Sequence, residues 1–84
     1  MVRVKFFGLL RLDTGTKEVQ VEADNVKSLF PAIAEEMRRQ NPGLPIRVKD
    51  LEGCIVLVNG QPCGKHQTLQ DGDEVFLMTP SAGG

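Results

Sequence analysis

The sequence predicts an α+β domain, a mixed sheet of four to five strands with one main helix on one face. Three observations lead there. Two early segments, residues 2–6 and 17–22, alternate apolar and polar residues, the period of a half-buried strand. A single central segment repeats its apolar residues with helical period. Glycine-rich turn signals separate the remaining short apolar runs.

Val2-Arg3-Val4-Lys5-Phe6-Phe7 opens the chain with Val2, Val4 and Phe6 on one face. Phe7 breaks the alternation and falls on the opposite face with Arg3 and Lys5. After Gly8 and Leu9-Leu10-Arg11-Leu12 comes the turn signal Asp13-Thr14-Gly15-Thr16. Lys17–Glu22 alternates again and is expected to pair antiparallel with the first strand. Val26, Leu29, Phe30, Ile33 and Met37 then form one helical stripe, with Asp24, Asn25 or Ser28 as candidate N-cap. Pro31 argues for an irregular first turn before a regular helix to about Gln40, and Asn41-Pro42-Gly43 ends it.

Between Leu44 and Gly53 the pattern suggests a short edge strand over Pro45–Lys49 and a turn over Asp50–Gly53. Cys54–Asn59 is apolar on both faces, as a covered strand would be, and Asn59-Gly60 is a strong hairpin signal. The turn Asp71-Gly72-Asp73 precedes a last strand, Glu74–Thr79, with Val75 and Leu77 on one face and Phe76 and Met78 on the other. If the first and last strands are parallel neighbours, Phe7, Phe76 and Met78 meet on the face the helix leaves open. Three large apolar groups there suggest a docking patch.

Composition excludes several classes. At 84 residues, 40% hydrophobic and 25% charged, the chain has the make-up of one soluble domain. The longest apolar run, Cys54–Val58, is too short to cross a membrane, and no basic-then-apolar leader opens the chain. A formal net charge of −1, four Phe and no Tyr or Trp argue against a nucleic-acid partner. Two cysteines without metal-type spacing suggest free thiols in a reducing cytoplasm.

The domain is expected to span residues 1–78, followed by a flexible tail over 79–84. Thr79-Pro80-Ser81-Ala82-Gly83-Gly84 carries only small side chains after Pro80. Two glycines serve no strand or helix, but they let a backbone pass where a Cβ atom would not fit. Fully extended, such a tail reaches roughly 20 Å, enough to enter a neighbouring protein's active site.

Phe6-Phe7-Gly8 with Arg11, then Val58-Asn59-Gly60, Leu69-Gln70-Asp71-Gly72-Asp73-Glu74-Val75 and the terminal Gly83-Gly84, resemble the ubiquitin-like sulfur carriers. Within that family they are most similar to the small subunit of molybdopterin synthase. The likeness covers essentially the whole chain. It departs from the pattern at Thr79-Pro80-Ser81-Ala82, where relatives more often carry two prolines, and Ser-Ala-Gly-Gly is similar to the thiamin-pathway carriers.

The resemblance implies a β-grasp fold and a role as protein-bound sulfur donor in molybdenum or tungsten cofactor synthesis. It implies two partners, an ATP-dependent adenylating enzyme and a large synthase subunit, and no cofactor held by the carrier itself. In that chemistry Gly84 is adenylated and then converted to a thiocarboxylate, with Gly83 beside it in the channel. Phe7, Arg11, Phe76, Met78, Pro80, Ser81 and Ala82 are the expected partner contacts. A thiamin-type carrier, a ubiquitin-like protein modifier and a non-carrier binding module are the alternative functions.

Other reactive side chains have plainer readings. Cys54 and Cys63 fit apolar packing. His66 has no ligand-spaced neighbour and fits a solvated loop. Asp71, Asp73 and Glu74 bracket a glycine at the wrong length for a calcium loop and fit a charged turn.

Overall fold

The computed structural model describes residues 1–44 and 46–79. Its elements, in chain order, are β1 (Val2–Phe7), α1 (Leu9–Thr14), β2 (Glu18–Val21), α2 (Val26–Gln40), α3 (Val48–Glu52), β3 (Ile55–Val58), β4 (Gln61–Pro62) and β5 (Glu74–Met78). The five strands form one sheet in the order β2-β1-β5-β3-β4. β1 and β5, from opposite ends of the sequence, are parallel central neighbours, and the other pairings are antiparallel.

Period two decides which face is core. Val2, Val4 and Phe6 of β1, Val19 and Val21 of β2, Val56 and Val58 of β3, and Val75 and Leu77 of β5 are all buried. They join Val26, Leu29, Phe30, Ile33, Ala34 and Met37 of α2 in one apolar cluster. The stripe foreseen for α2 is thus the stripe that packs. The mixed sheet under a single long helix is the α+β, β-grasp arrangement that the sequence leads one to expect.

The helix starts without the expected irregular turn. Asn25 is the N-cap: its side chain accepts from the Ser28 N–H at 2.9 Å, and the Ser28 hydroxyl accepts from the Asn25 N–H at 3.4 Å. Of the three candidates, Asn25 and Ser28 cap each other's backbone, and Asp24 does not serve as the cap. Pro31 therefore sits inside the helix, where it forgoes one bond to the Lys27 carbonyl. The loop before β5 caps the same end, the Gln67 and Lys65 carbonyls accepting from the N–H groups of Val26 and Lys27 at 2.9 and 3.0 Å.

Three local expectations are corrected. The edge strand and turn expected between Pro45 and Gly53 are replaced by α3, Pro45 itself lying outside the described residues. Asp50 decides this by accepting from the Arg47 N–H at 3.3 Å, while Ile46 and Leu51 anchor the turn in the core. The Leu9–Leu12 stretch and the start of the turn after it form α1, closed by Gly15 in the left-handed region at φ 67°. Cys54 precedes β3 rather than opening it, and β3 is covered on one face only: Ile55 is 44% exposed and Leu57 half-buried. A sheet with its helices on one side leaves its other side to solvent.

Candidate functional site

The strand register lays the open face out in rows. Phe7, Met78 and Ile55 are directly opposite one another across β1, β5 and β3. The next row is Glu18, Lys5, Phe76, Leu57 and Pro62, and the next Gln20, Arg3 and Glu74. The face is therefore apolar at one end and charged at the other. The apolar end is where β5 finishes, next to Thr79.

Phe7 is 37% exposed and meets Phe76 edge to face, with ring centroids 5.2 Å apart. The Lys5 ammonium lies 5.8 Å from the Phe76 ring centre and 3.4 Å from a Glu74 oxygen. Arg3 bridges Glu18 at 3.5 Å and Glu74 at 3.8 Å. These pairs are solvated, so they contribute little to stability. What they do is hold the charged rows neutral beside the apolar patch.

The structure thus brings Phe7, Phe76 and Met78 together on one face. Arg11 is elsewhere, exposed on α1, a helix that packs against β1 and β5. Pro80, Ser81, Ala82, Gly83 and Gly84 lie outside the described residues. Ile55 and Leu57 extend the patch and were missed, because an apolar run reads as buried when the second covering layer is assumed. Leu12, 77% exposed on α1, was also missed. Its signal is an apolar residue off the core period of a helix only six residues long.

The root of β5 is fixed by side-chain hydrogen bonds. The Asp73 carboxylate accepts from the Gln70 N–H at 2.8 Å and from the Asn59 amide at 3.0 Å. Asn59 in turn accepts from the Glu74 N–H at 3.0 Å. Those bonds, the Gln70 N–H first, hold the Asp73 carboxyl below its usual range. Gly72, at φ 89°, takes the turn position that demands a left-handed backbone. The acidic cluster is thereby a turn; among the described residues no group of three His, Cys, Asp or Glu is placed to hold a metal.

The two thiols are packed rather than primed. Burial, and secondarily the Asp50 charge, pushes the Cys54 thiol up; burial pushes up Cys63. Their sulfurs lie 3.6 Å from the Asp50 carbonyl and 3.9 Å from the Val56 carbonyl. Raised thiol pKa values mean less thiolate at neutral pH, so alkylation should be slow near pH 7 and quicken as pH rises. Changing both to Ser should leave any sulfur transfer by the folded protein intact. Loss of transfer in a well-folded Cys54→Ser/Cys63→Ser variant would place the sulfur on a thiol.

Among the described residues, no helix is long and apolar enough to cross a membrane. The sequence signature of the ThiS family matches residues 4–84. No curated protein matches the sequence. Solved structures do. The small archaeal modifier protein 1 of Methanosarcina acetivorans is similar at 24% identity and TM-score 0.68, over 99% of this chain and 95% of that one. A chain of the complex of subunits 1 and 2 of the Helicobacter pylori molybdopterin-converting factor is similar at 26% identity and TM-score 0.59, covering 99% and 97%. A chain of the BexX/CysO complex of Amycolatopsis orientalis is similar at 22% identity and TM-score 0.67, covering all of both.

Proposed function

The chain belongs to the ThiS family of ubiquitin-like sulfur carriers, and from that premise we propose that it is the sulfur-donating small subunit of a molybdopterin synthase. The observation that carries this reading is the apolar patch of Phe7, Phe76, Met78, Ile55 and Leu57, sited where β5 gives way to the tail. A partner that covers the patch has the tail delivered beside it. The likeness to the molybdopterin-converting factor chain, found in complex with its partner subunit, supports the assignment.

The tail does the chemistry and the domain supplies docking. A carboxylate is a poor electrophile, so the adenylating partner joins the Gly84 carboxylate to the α-phosphate of ATP, releasing pyrophosphate. Sulfide delivered by a donor then attacks the acyl carbon, forming the carbon–sulfur bond as the bond to AMP breaks, and leaves a thiocarboxylate and free AMP. That anion is nucleophilic through sulfur and can attack a pterin precursor in the large subunit. Pro80, Ser81, Ala82 and Gly83 thread the channel, the domain of residues 1–78 stays outside, and Arg11 gives the partner a separate charged contact on α1. Holding the reacting carboxylate in place is the carrier's contribution to rate.

The test is the intact mass of the protein after incubation with the adenylating partner, ATP and a sulfur source. The carrier reading requires a gain equal to exchanging one oxygen for one sulfur at the C-terminus. An adduct to lysines of other proteins in its place would identify a modifier. Loaded carrier that serves thiazole synthesis but not the pterin synthase would assign the thiamin pathway.

The patch has its own test. Met78→Glu should weaken partner binding on the order of tenfold or more, the scale of removing an apolar anchor from the centre of an interface. Because Met78 faces away from the core, folding stability should fall by less than about 1 kcal/mol. A large drop in melting temperature would show that Met78 is core and the patch is not a docking surface.

A further inference from the structure

We propose that Asn59-Gly60 is a site of spontaneous modification that β5 holds in check. When the start of β5 lets go of β3, the pair deamidates, and the product keeps β5 from regaining its native seat. The inference does not depend on the sulfur-carrier reading. In the reaction the Gly60 main-chain nitrogen attacks the side-chain carbonyl carbon of Asn59. A carbon–nitrogen bond forms and ammonia leaves, giving a succinimide ring; water then opens the ring at either carbonyl to leave aspartate or isoaspartate. Glycine in second place favours the attack, because no Cβ atom crowds the nitrogen and the backbone turns freely. Both residues are exposed, so water reaches them.

The native fold ties down the group that must swing. Asn59 continues the β3–β5 pairing opposite Glu74, its N–H donating to the Glu74 carbonyl at 2.7 Å. Its side-chain oxygen accepts from the Glu74 N–H, and its amide donates to the Asp73 carboxylate, both at 3.0 Å. Each end of the carboxamide is thus engaged by the start of β5 and the residue before it. Both bonds must break before the side chain can turn onto Gly60. Deamidation therefore proceeds from a molecule in which β5 has opened, at a rate set by how often it opens.

The product does not fit where the amide fitted. Aspartate at position 59 replaces the donor facing Asp73 with a second carboxylate at hydrogen-bond distance, two like charges in one site. Isoaspartate also lengthens the main chain by one carbon. It does so inside a two-residue turn whose members sit at positive φ, 51° and 84°. Either product loses the bonds that seat β5, the strand that carries Phe76 and Met78. A reversible opening becomes a permanent mark.

The experiment incubates the full-length protein at neutral pH in three forms: native wild type, wild type in guanidinium chloride, and native Leu77→Ala. The last loses packing on β5, so its strand opens more often. Reaction is read as the mass gain of an amide exchanged for an acid in the peptide holding Asn59, and as isoaspartate labelled by an isoaspartyl methyltransferase. Native wild type should react at least about tenfold more slowly than the denatured chain, with Leu77→Ala between them. The wild-type comparison stands however well Leu77→Ala folds.

The fate of the product is read from Asn59→Asp, which should denature at a lower midpoint than wild type. The double variant Asn59→Asp/Asp73→Asn exchanges amide and carboxylate, leaving a donor for every acceptor, and should recover most of that loss. Equal rates in native and denatured wild type would overturn protection by β5. No reaction in the denatured chain would overturn the site itself. An Asn59→Asp protein as stable as wild type, or one that the exchange fails to rescue, would overturn the unseating of β5.

Discussion

If Gly84 is the group the proposed adenylating partner activates, a carrier lengthened by one residue beyond it is expected to lose activation completely while binding that partner as before. The added residue moves the reacting carboxylate by about 3.4 Å. In-line attack on a phosphate tolerates far less, since errors near 1 Å cost on the order of a hundredfold in rate. Gly83→Val should have the same outcome for a different reason: a branched Cβ blocks a channel shaped for bare backbone and removes conformations with positive φ. Neither change touches the buried residues of the sheet and α2. Pyrophosphate exchange measured beside a binding assay separates the two steps. Normal exchange with the lengthened tail would mean that Gly84 is not where the chemistry happens.

Leu77→Ala should do the opposite of Met78→Glu, one position away. Leu77 is fully buried on the central strand β5, paired with Phe6 on one side and Val56 on the other. Removing its side chain costs about 2–5 kcal/mol in transfer and cavity terms. A domain of this size holds roughly 4–13 kcal/mol in total, so a large share of its stability should disappear. Chemical denaturation checks this through the midpoint. If the open face is the docking surface proposed, the surviving folded fraction should still bind its partner, because the rows on that face are unchanged. A Leu77→Ala protein of near wild-type stability would contradict the assignment of that face to the core.

These opposed outcomes follow from strand period, and strand period was readable in the sequence. Val2, Val4 and Phe6 declared one face of β1, and Phe7 declared itself an exception. Asn59-Gly60 declared the hairpin, and both residues adopt positive φ, at 51° and 84°. What was not readable depended on the rest of the molecule. Whether Ile46 and Val48 join a strand or flank a helical turn is nearly balanced locally, and the pairing of Asp50 with Arg47 tips it. Leu57 and Ile55 looked interior because their own segment cannot reveal that no helix covers their side. α1 is too short for its period to emerge from the noise of single residues. The apolar members of the open face were thus partly visible.

The parallel pairing of β1 with β5 also bears on when the protein becomes competent. The two neighbouring strands inside the sheet are the first and last strands in chain order among the described residues, so most of the domain is made between them. Contacts between such distant segments form late, since closing the chain between them costs entropy before any contact repays it. A nascent chain lacking β5 has no partner on that side for Val4 or Phe6, and no Phe76 or Met78 to complete the open face. The platform and the root of the tail therefore assemble in one event. A chain that ends before β5 would thus lack both the strand that β1 pairs with and the apolar end of the open face.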